Sequence, residues 1–375
     1  MNDVWRLDDF QQILESELAV ALERSEKELD VEALVQSMLG PMLDQVTDVL
    51  YDGLAKRSKR MLRDHRRMRR GFVRRNVKRW RAGFDLLERL IVISGETGST
   101  INNTLRPQAA ENNDALFEAL ISNHARAVQV SREIFALMIA GFPDGAMARW
   151  RTLHEIAVIA MFLSHAGRET AERYILHDHV TAYKRAKNYM EHHQRANLGP
   201  IEPEVMQALQ AAHDNVLRDD LRMQQDYGWA AKALGKDRPT FFDLELATEL
   251  DHWRPRYKWA TTNTHGAYRL HNSTLATSEA EESVLSVGES NSGMTDPAHM
   301  TAISLKLATM PVIMLEPNVD RLAVAMVMQR LSDEIGDTFL RLDHETFERS
   351  RRPRWWTVVA RSIQARRNPP VRTVD

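Results

Sequence analysis

Residues Gly145–Tyr174 read GAMARWRTLHEIAVIAMFLSHAGRETAERY, and this stretch decides the fold. It opens with four ionisable groups, continues as the almost wholly apolar run Ile156–Leu163, and breaks at Gly167. The four groups are Arg149, Arg151, His154 and Glu155. A helix that is apolar on all sides is buried, and ionisable groups at its head need partners because unpaired burial costs free energy. We therefore expect the other helices to pack around this one.

The remaining apolar patterns also predict helices, and no alternation of strands and helices is visible, so the predicted fold class is all-α. The prediction is a helical-bundle core preceded by a long N-terminal helical arm. A heptad-like seam predicts that about 56–94 is one helix; its members are Val73, Val77, Trp80, Phe84, Leu87 and Ile91. The polar, turn-rich stretch 95–113 predicts a loop. The predicted divisions are an arm (1–94), a core (95–347) and a basic tail (348–375).

Composition excludes several classes of protein. The 375 residues include no cysteine, which rules out disulfides, thiolate metal sites and cysteine catalysis. The N-terminus, MNDVWRLDDF, lacks the basic head and apolar run of a signal peptide. The apolar runs fall short of the roughly 18–20 residues that cross a bilayer. We expect a cytoplasmic protein without a transmembrane segment.

Charge is distributed unevenly along the arm. Residues 1–55 hold thirteen acids and three bases, whereas residues 56–81 hold fourteen Lys and Arg against the single acid Asp64. One interpretation is a helix that binds nucleic-acid phosphates without reading sequence. The alternative is a solvated face neutralised by the acidic segment. The candidate phosphate ligands are Arg66, Arg67, Arg69, Arg70, Arg74, Arg75, Lys78 and Arg79.

The first catalytic candidate is the pair Arg149 and His154, because an Arg followed four to six residues later by His resembles the signature of HEPN-type all-α ribonucleases. The imidazole can move a proton from a ribose hydroxyl, and the guanidinium can hold the phosphate. Residues five apart lie about 140° apart on a helix, so Arg151, His154 and Glu155 share a face better. The alternative is a structural Arg151–Glu155 ion pair with His154 hydrogen-bonded nearby.

Two further polar candidates lie downstream. His265 follows small hydroxyl residues and precedes Gly266, a pattern that suits either a site or a core histidine. Arg173 and Tyr174 form the other candidate. The histidines nearby do not share a helix face, and no metal-ligand motif, Walker loop or dinucleotide fingerprint is present, so we expect neither a metal nor a cofactor.

The chain resembles a bacterial family known as domain of unknown function 5677. The resemblance rests on SREIFALMIAGFPDGAMARWRTLHEIAVIAMFL, ERYILHDHVTAYK, YGWAAKAL and YKWATTNTHGAY, and covers about 95–345. It implies an α-helical domain with no established activity. By it, recurrent polar positions fall on Arg151, Glu155, Arg173, Tyr257 and His265. The family's usual Ser ahead of the His is Thr261 or Thr262 here.

These patterns support two hypotheses about function. The first is a HEPN-like effector that binds RNA, with metal-independent cleavage as a further activity, in bacterial defence or toxin biology. The second is a non-catalytic interaction protein, in which the polar cluster is structural and the arm mediates homo-oligomerisation. In either case we predict that Arg151, Glu155, Arg173 and His265 converge in one buried cluster.

Overall fold

The computed structural model of the chain describes residues 15–16, 19–20, 31–266, 268, 274–280 and 282–351. This part of the chain is largely helical and contains no strand, which confirms the all-α class. The chain divides into two compact units, Met1–Gly71 and Phe72–Asp375. Most of the predicted basic tail lies outside the described residues, and the domain limits predicted from sequence remain predictions.

The helix that contains the predicted seam is much longer than predicted. Helix α1 runs from Val31 to Glu111, so the loop predicted at 95–113 is wrong for all but its last residues. Hydroxyl side chains within the stretch bond back to their own helix, as the Oγ1 atom of Thr97 does to the carbonyl of Ile93 at 2.7 Å. The turn comes only at Asn112 and Asn113, after which Asp114 caps the next helix.

Helices α2 (Ala115–Ala140) and α3 (Pro143–His192) form the centre of the second unit. Gly141 ends α2 in the left-handed region, at φ 90°, and Pro143 opens α3. Gly167 interrupts α3 with φ 81° and ψ −171°, so the predicted break is confirmed. The apolar run Ile156–Leu163 between these breaks is mostly buried, which confirms its predicted place in the core.

The remaining helices enclose this pair. They are α4 (Pro203–Asp219), α5 (Ala231–Leu234), α6 (Phe241–Ala247), α7 (Arg254–Thr261), α8 (Thr295–Ile313) and α9 (Val319–Arg351). Helices α6 and α7 are short and pack against α3. They contribute the polar side chains that meet the ionisable head of α3.

The part of α1 in the second unit packs through the predicted seam. Trp80, Phe84, Leu87 and Ile91 are all buried. The indole N–H of Trp80 donates to the carbonyl of Asn291 at 2.9 Å, and its ring stacks on Phe339 at 5.5 Å between centroids. The seam therefore anchors α1 into the core of this unit.

Candidate functional site

The head of α3 carries an ion pair set by helix geometry. Arg151 Nη2 lies 3.2 Å from Glu155 Oε1, and the side chains are 30% and 29% exposed. Residues four apart share a helix face, so this pair was predictable from spacing. Both groups are partly open to solvent, and the pair can therefore meet a ligand.

Tyr257 of α7 completes this group, which we call the Arg–Glu–Tyr cluster (Arg151, Glu155 and Tyr257). The buried phenol donates to Glu155 Oε1 at 2.5 Å. The Arg151 guanidinium lies 4.9 Å from the centroid of the Tyr257 ring, a cation–π distance. Arg151 Nε is buried and has no hydrogen-bond partner among the described residues.

Two phenols at this cluster stay protonated at neutral pH. Burial, and then the hydrogen bond and charge of Glu155, raise the pKa of Tyr257 well above its usual value. Burial, and then the Glu155 and Asp226 carboxylates, raise the pKa of Tyr227 to about 12. The cluster therefore presents phenol donors beside a guanidinium.

His154 lies deeper and is closed off. Its Nε2 atom is 3.1 Å from Glu245 Oε1, and these side chains are 1% and 0% exposed. The other Glu245 oxygen bonds Arg254. The imidazole is enclosed by aromatic rings, with Trp150 at 5.3 Å and Tyr257 at 5.7 Å between centroids. This arrangement matches a structural histidine that is held by a buried carboxylate.

Arg149 and His154 do not converge. Arg149 bonds Glu133 of α2 and also Thr152, whereas His154 faces Glu245 of α6. The five-residue spacing directs the two side chains to different neighbours, as the helix angle implies. The geometry gives no shared phosphate site to this pair.

Two of the predicted cluster members lie elsewhere. His265 follows the C-terminus of α7 and is exposed, so its predicted burial with Arg151 is wrong. Arg173 pairs with Asp220 at 2.7 Å and donates to the carbonyls of Gly228 and Trp229. The neighbouring Tyr174 hydroxyl donates to Asn123 Oδ1 at 3.2 Å, and its ring packs on Trp229. These two residues fix the 220–229 segment.

Sequence reasoning missed Glu245, Arg254 and Tyr227. Glu245 stands between two leucines in FFDLELA, and a carboxylate flanked by apolar residues is a weak signal of a buried partner. Nothing local pointed to His154, which lies 91 positions away. Only the packing of α6 on α3 reveals the pair.

The first unit carries a cationic face on α1. Residues 56–70 hold nine Lys and Arg and one acid, Asp64. All nine cations are exposed. Arg63, Arg66, Arg67 and Arg70 recur at three- and four-residue steps, and so they lie on one side of the helix. We call these four the arginine face.

The second unit holds the rest of the predicted phosphate ligands. Arg74, Arg75 and Lys78 are exposed. Arg79 is not available for phosphate, because its side chain is 8% exposed and Nη2 lies 2.5 Å from Glu279 Oε1. Its guanidinium also stacks over Trp80 at 4.6 Å. Arg79 is a structural residue, and the prediction that it binds phosphate is corrected.

Among the described residues, no group of three or more His, Cys, Asp and Glu is placed to hold a metal ion. None of the helices in this part of the chain is long and apolar enough to cross a membrane.

Comparison with known proteins identifies one domain. Residues 117–282 match the model of a family of unknown function (DUF5677). The match confirms the family resemblance predicted from the sequence and covers the helices that build the Arg–Glu–Tyr cluster. No curated protein and no solved structure matches the chain.

Proposed function

We propose that the protein binds RNA through the arginine face of α1, by neutralising backbone phosphates without reading sequence. The observation that carries the proposal is the density of exposed charge: nine cations against one acid within residues 56–70. At 1.5 Å per residue this segment is about 21 Å long, which is enough to follow several phosphates.

Charge pairing leaves most of this segment able to bind phosphate. Arg60 Nε lies 3.9 Å from Asp64 Oδ2, and both side chains are largely exposed. Exposed pairs of this kind contribute little free energy and yield readily to a competing anion. Arginine also binds phosphate in a bidentate manner, which favours it over lysine here.

The geometry favours binding over cleavage. His154 is buried against Glu245, and Arg149 is paired with Glu133. If RNA is cleaved, the Arg–Glu–Tyr cluster is the better candidate, because Arg151 and Glu155 are partly exposed. Arg151 would then hold the phosphate and Glu155 would accept the ribose proton.

The decisive experiment measures RNA binding by the purified chain, using fluorescence anisotropy of a labelled 20-nucleotide RNA across a salt series. The test variant replaces the arginine face (Arg63, Arg66, Arg67 and Arg70) with Gln. Each lost phosphate contact lowers the slope of log affinity against log salt by about 0.7 for single strands, so the slope should flatten by about 3.

The matched control replaces four exposed cations of the second unit with Gln: Lys187, Arg195, Arg218 and Lys258. It removes the same total charge. Equal loss of affinity in both variants would mean that net charge alone attracts RNA, and the proposal would fail. RNA cleavage is measured in the wild-type protein and in two further single variants, Tyr257→Phe and His265→Ala. Cleavage lost only in Tyr257→Phe would place catalysis at the Arg–Glu–Tyr cluster.

An alternative function is homo-oligomerisation through the same helix. Leu54, Met61 and Met68 are exposed and recur every seven residues, on the side of α1 away from the arginine face. Sedimentation equilibrium of wild type and of Met61→Lys distinguishes the two functions. The alternative would be favoured if the wild-type protein self-associates, the Met61→Lys variant is monomeric, and neither protein binds RNA.

A further inference from the structure

A groove lies between α1 and α2 in the second unit, away from the Arg–Glu–Tyr cluster. Its volume is about 500 Å³, within the range of small-molecule sites. Small residues on α1 open it, since Gly95 and Gly98 bring no side chain into the space. The apolar part of its wall is formed by Val92, Ile121 and Val128.

The polar part of the wall holds one carboxylate, one guanidinium and one imidazole. They belong to Glu96, Arg132 and His124. Glu96 and Arg132 are exposed and form no ion pair with any described residue. Two unpaired opposite charges beside an apolar wall are complementary to a zwitterion that has an apolar body.

A buried hydrogen-bond chain fixes the His124 tautomer. The Thr309 hydroxyl donates to the carbonyl of Leu305 at 2.7 Å. Its oxygen, 2.8 Å from Ser94 Oγ, must therefore accept the Ser94 proton. Ser94 Oγ then accepts from His124 Nε2, 3.2 Å away, and so this nitrogen carries the proton.

The other ring nitrogen is consequently an acceptor. Burial lowers the pKa of His124 to about 4, so the ring is neutral at pH 7 and Nδ1 keeps a lone pair. This atom has no hydrogen-bond partner within the described part of the chain, and the ring lies against Gly98 in the groove wall. Nδ1 can therefore accept a hydrogen bond from a donor in the groove.

We infer that this groove binds a free amino acid with a large apolar side chain. Its carboxylate bonds Arg132, its ammonium lies at Glu96 and donates to His124 Nδ1, and its side chain packs on the apolar wall. Arg132 Nη2 lies 3.8 Å from the position of a Cβ on Gly95, and Glu96 follows Gly95 directly in the chain. The guanidinium thus lies beside the backbone next to Glu96, a placement that suits the adjacent charges of an α-amino acid better than the separated termini of a peptide.

The test is isothermal titration of the full chain with L-tryptophan and two analogues. Indole-3-propionate lacks the ammonium, and tryptamine lacks the carboxylate. We expect tryptophan to bind. Each analogue should bind with an affinity at least about tenfold lower, because each loses a charge-assisted hydrogen bond. Failure of tryptophan to bind, or equal binding by either analogue, would overturn the inference.

Variants assign the two charges. Arg132→Gln and Glu96→Gln change exposed side chains and should each weaken tryptophan binding about tenfold. The matched control is Arg126→Gln, which removes an exposed cation of the same helix that does not line the groove. A loss in the control equal to that in Arg132→Gln would contradict the assignment.

His124 needs a measurement that does not depend on a variant folding. In a sample labelled at the histidine ring, tryptophan should move the His124 resonance and lower its pKa further, because a donor at Nδ1 competes with protonation. An unchanged His124 titration with tryptophan bound would remove His124 from the site.

Discussion

His154 Nε2 lies 3.1 Å from Glu245 Oε1, with both side chains buried, and this contact joins the head of α3 to the short helix α6. Glu245 also bonds Arg254 at the start of α7. One carboxylate thus joins α6 and α7, which are neighbours in sequence, to α3, whose His154 lies 91 residues upstream of Glu245. The contact makes His154 part of the architecture of the domain.

Glu245→Ala should therefore destabilise the protein strongly. It leaves His154 buried without its partner and removes the counter-charge of Arg254, and breaking such a buried group costs about 3 kcal/mol. Urea denaturation measures the change. Glu249→Gln, at an exposed position two residues past the end of α6, is the control and should be near neutral. Equal stability of the two variants would show that the contact contributes nothing.

Two glycines of α1 should respond in opposite directions to alanine. A Cβ on Gly98 would meet the His124 ring at 2.2 Å, so Gly98→Ala should lower the free energy of unfolding by about 1–3 kcal/mol. A Cβ on Gly95 meets Val128 at an ordinary 3.6 Å, and Gly95→Ala should gain up to about 1 kcal/mol from helix propensity. Thermal unfolding of both variants checks the signs, and a shared sign would contradict the packing of α1 on α2.

His124 should make the protein less stable in acid. Its folded pKa of about 4 lies below the usual 6.5, so the unfolded chain takes up a proton first as pH falls. Stability is fully present above about pH 6.5 and is lost progressively towards pH 4, by about 3 kcal/mol in all. Burial also lowers the pKa of His177 and His299, which act in the same direction.

Urea denaturation at pH 7.0 and 4.5 measures this loss of stability. The His124→Gln variant shows how much of the loss comes from His124. The variant should lose less stability between the two pH values than wild type, whatever its stability at pH 7.0. A difference between pH values that is the same in both proteins would show that His124 titrates normally.

The phenols at the Arg–Glu–Tyr cluster should make stability fall in alkali. The pKa of Tyr227 is raised to about 12, and that of Tyr257 is raised as well, whereas unfolded tyrosine ionises near 10. Stability is therefore fully present below about pH 10 and is lost as pH rises towards 12. A pH titration followed by tyrosinate absorbance counts the phenols that ionise only well above pH 10. That number should fall in Tyr227→Phe and in Tyr257→Phe. The control is Tyr268→Phe, whose side chain is 85% exposed.

The loop predicted at 95–113 shows where local signals mislead. Glycine, serine, threonine and asparagine favour turns in isolation. In the folded chain Gly98 lies against His124, and Ser94, just before this stretch, bonds both His124 and Thr309, so packing on α2 and α8 holds this part of the chain in a helix. The residues that weaken the helix locally are the ones that allow its close approach to α2.

The sequence by itself determined the all-α class, the buried seam from Trp80 to Ile91 and the Arg151–Glu155 pair. Each depends on contacts within a few turns of one helix, where the 3.6-residue repeat fixes which side chains lie on the same face. Only the tertiary structure decided that Glu245 holds His154, that Glu279 removes Arg79 from the cationic surface, and that His265 is exposed. The two ion pairs join segments that are 91 and 200 residues apart in the chain, and no local periodicity predicts which segments meet.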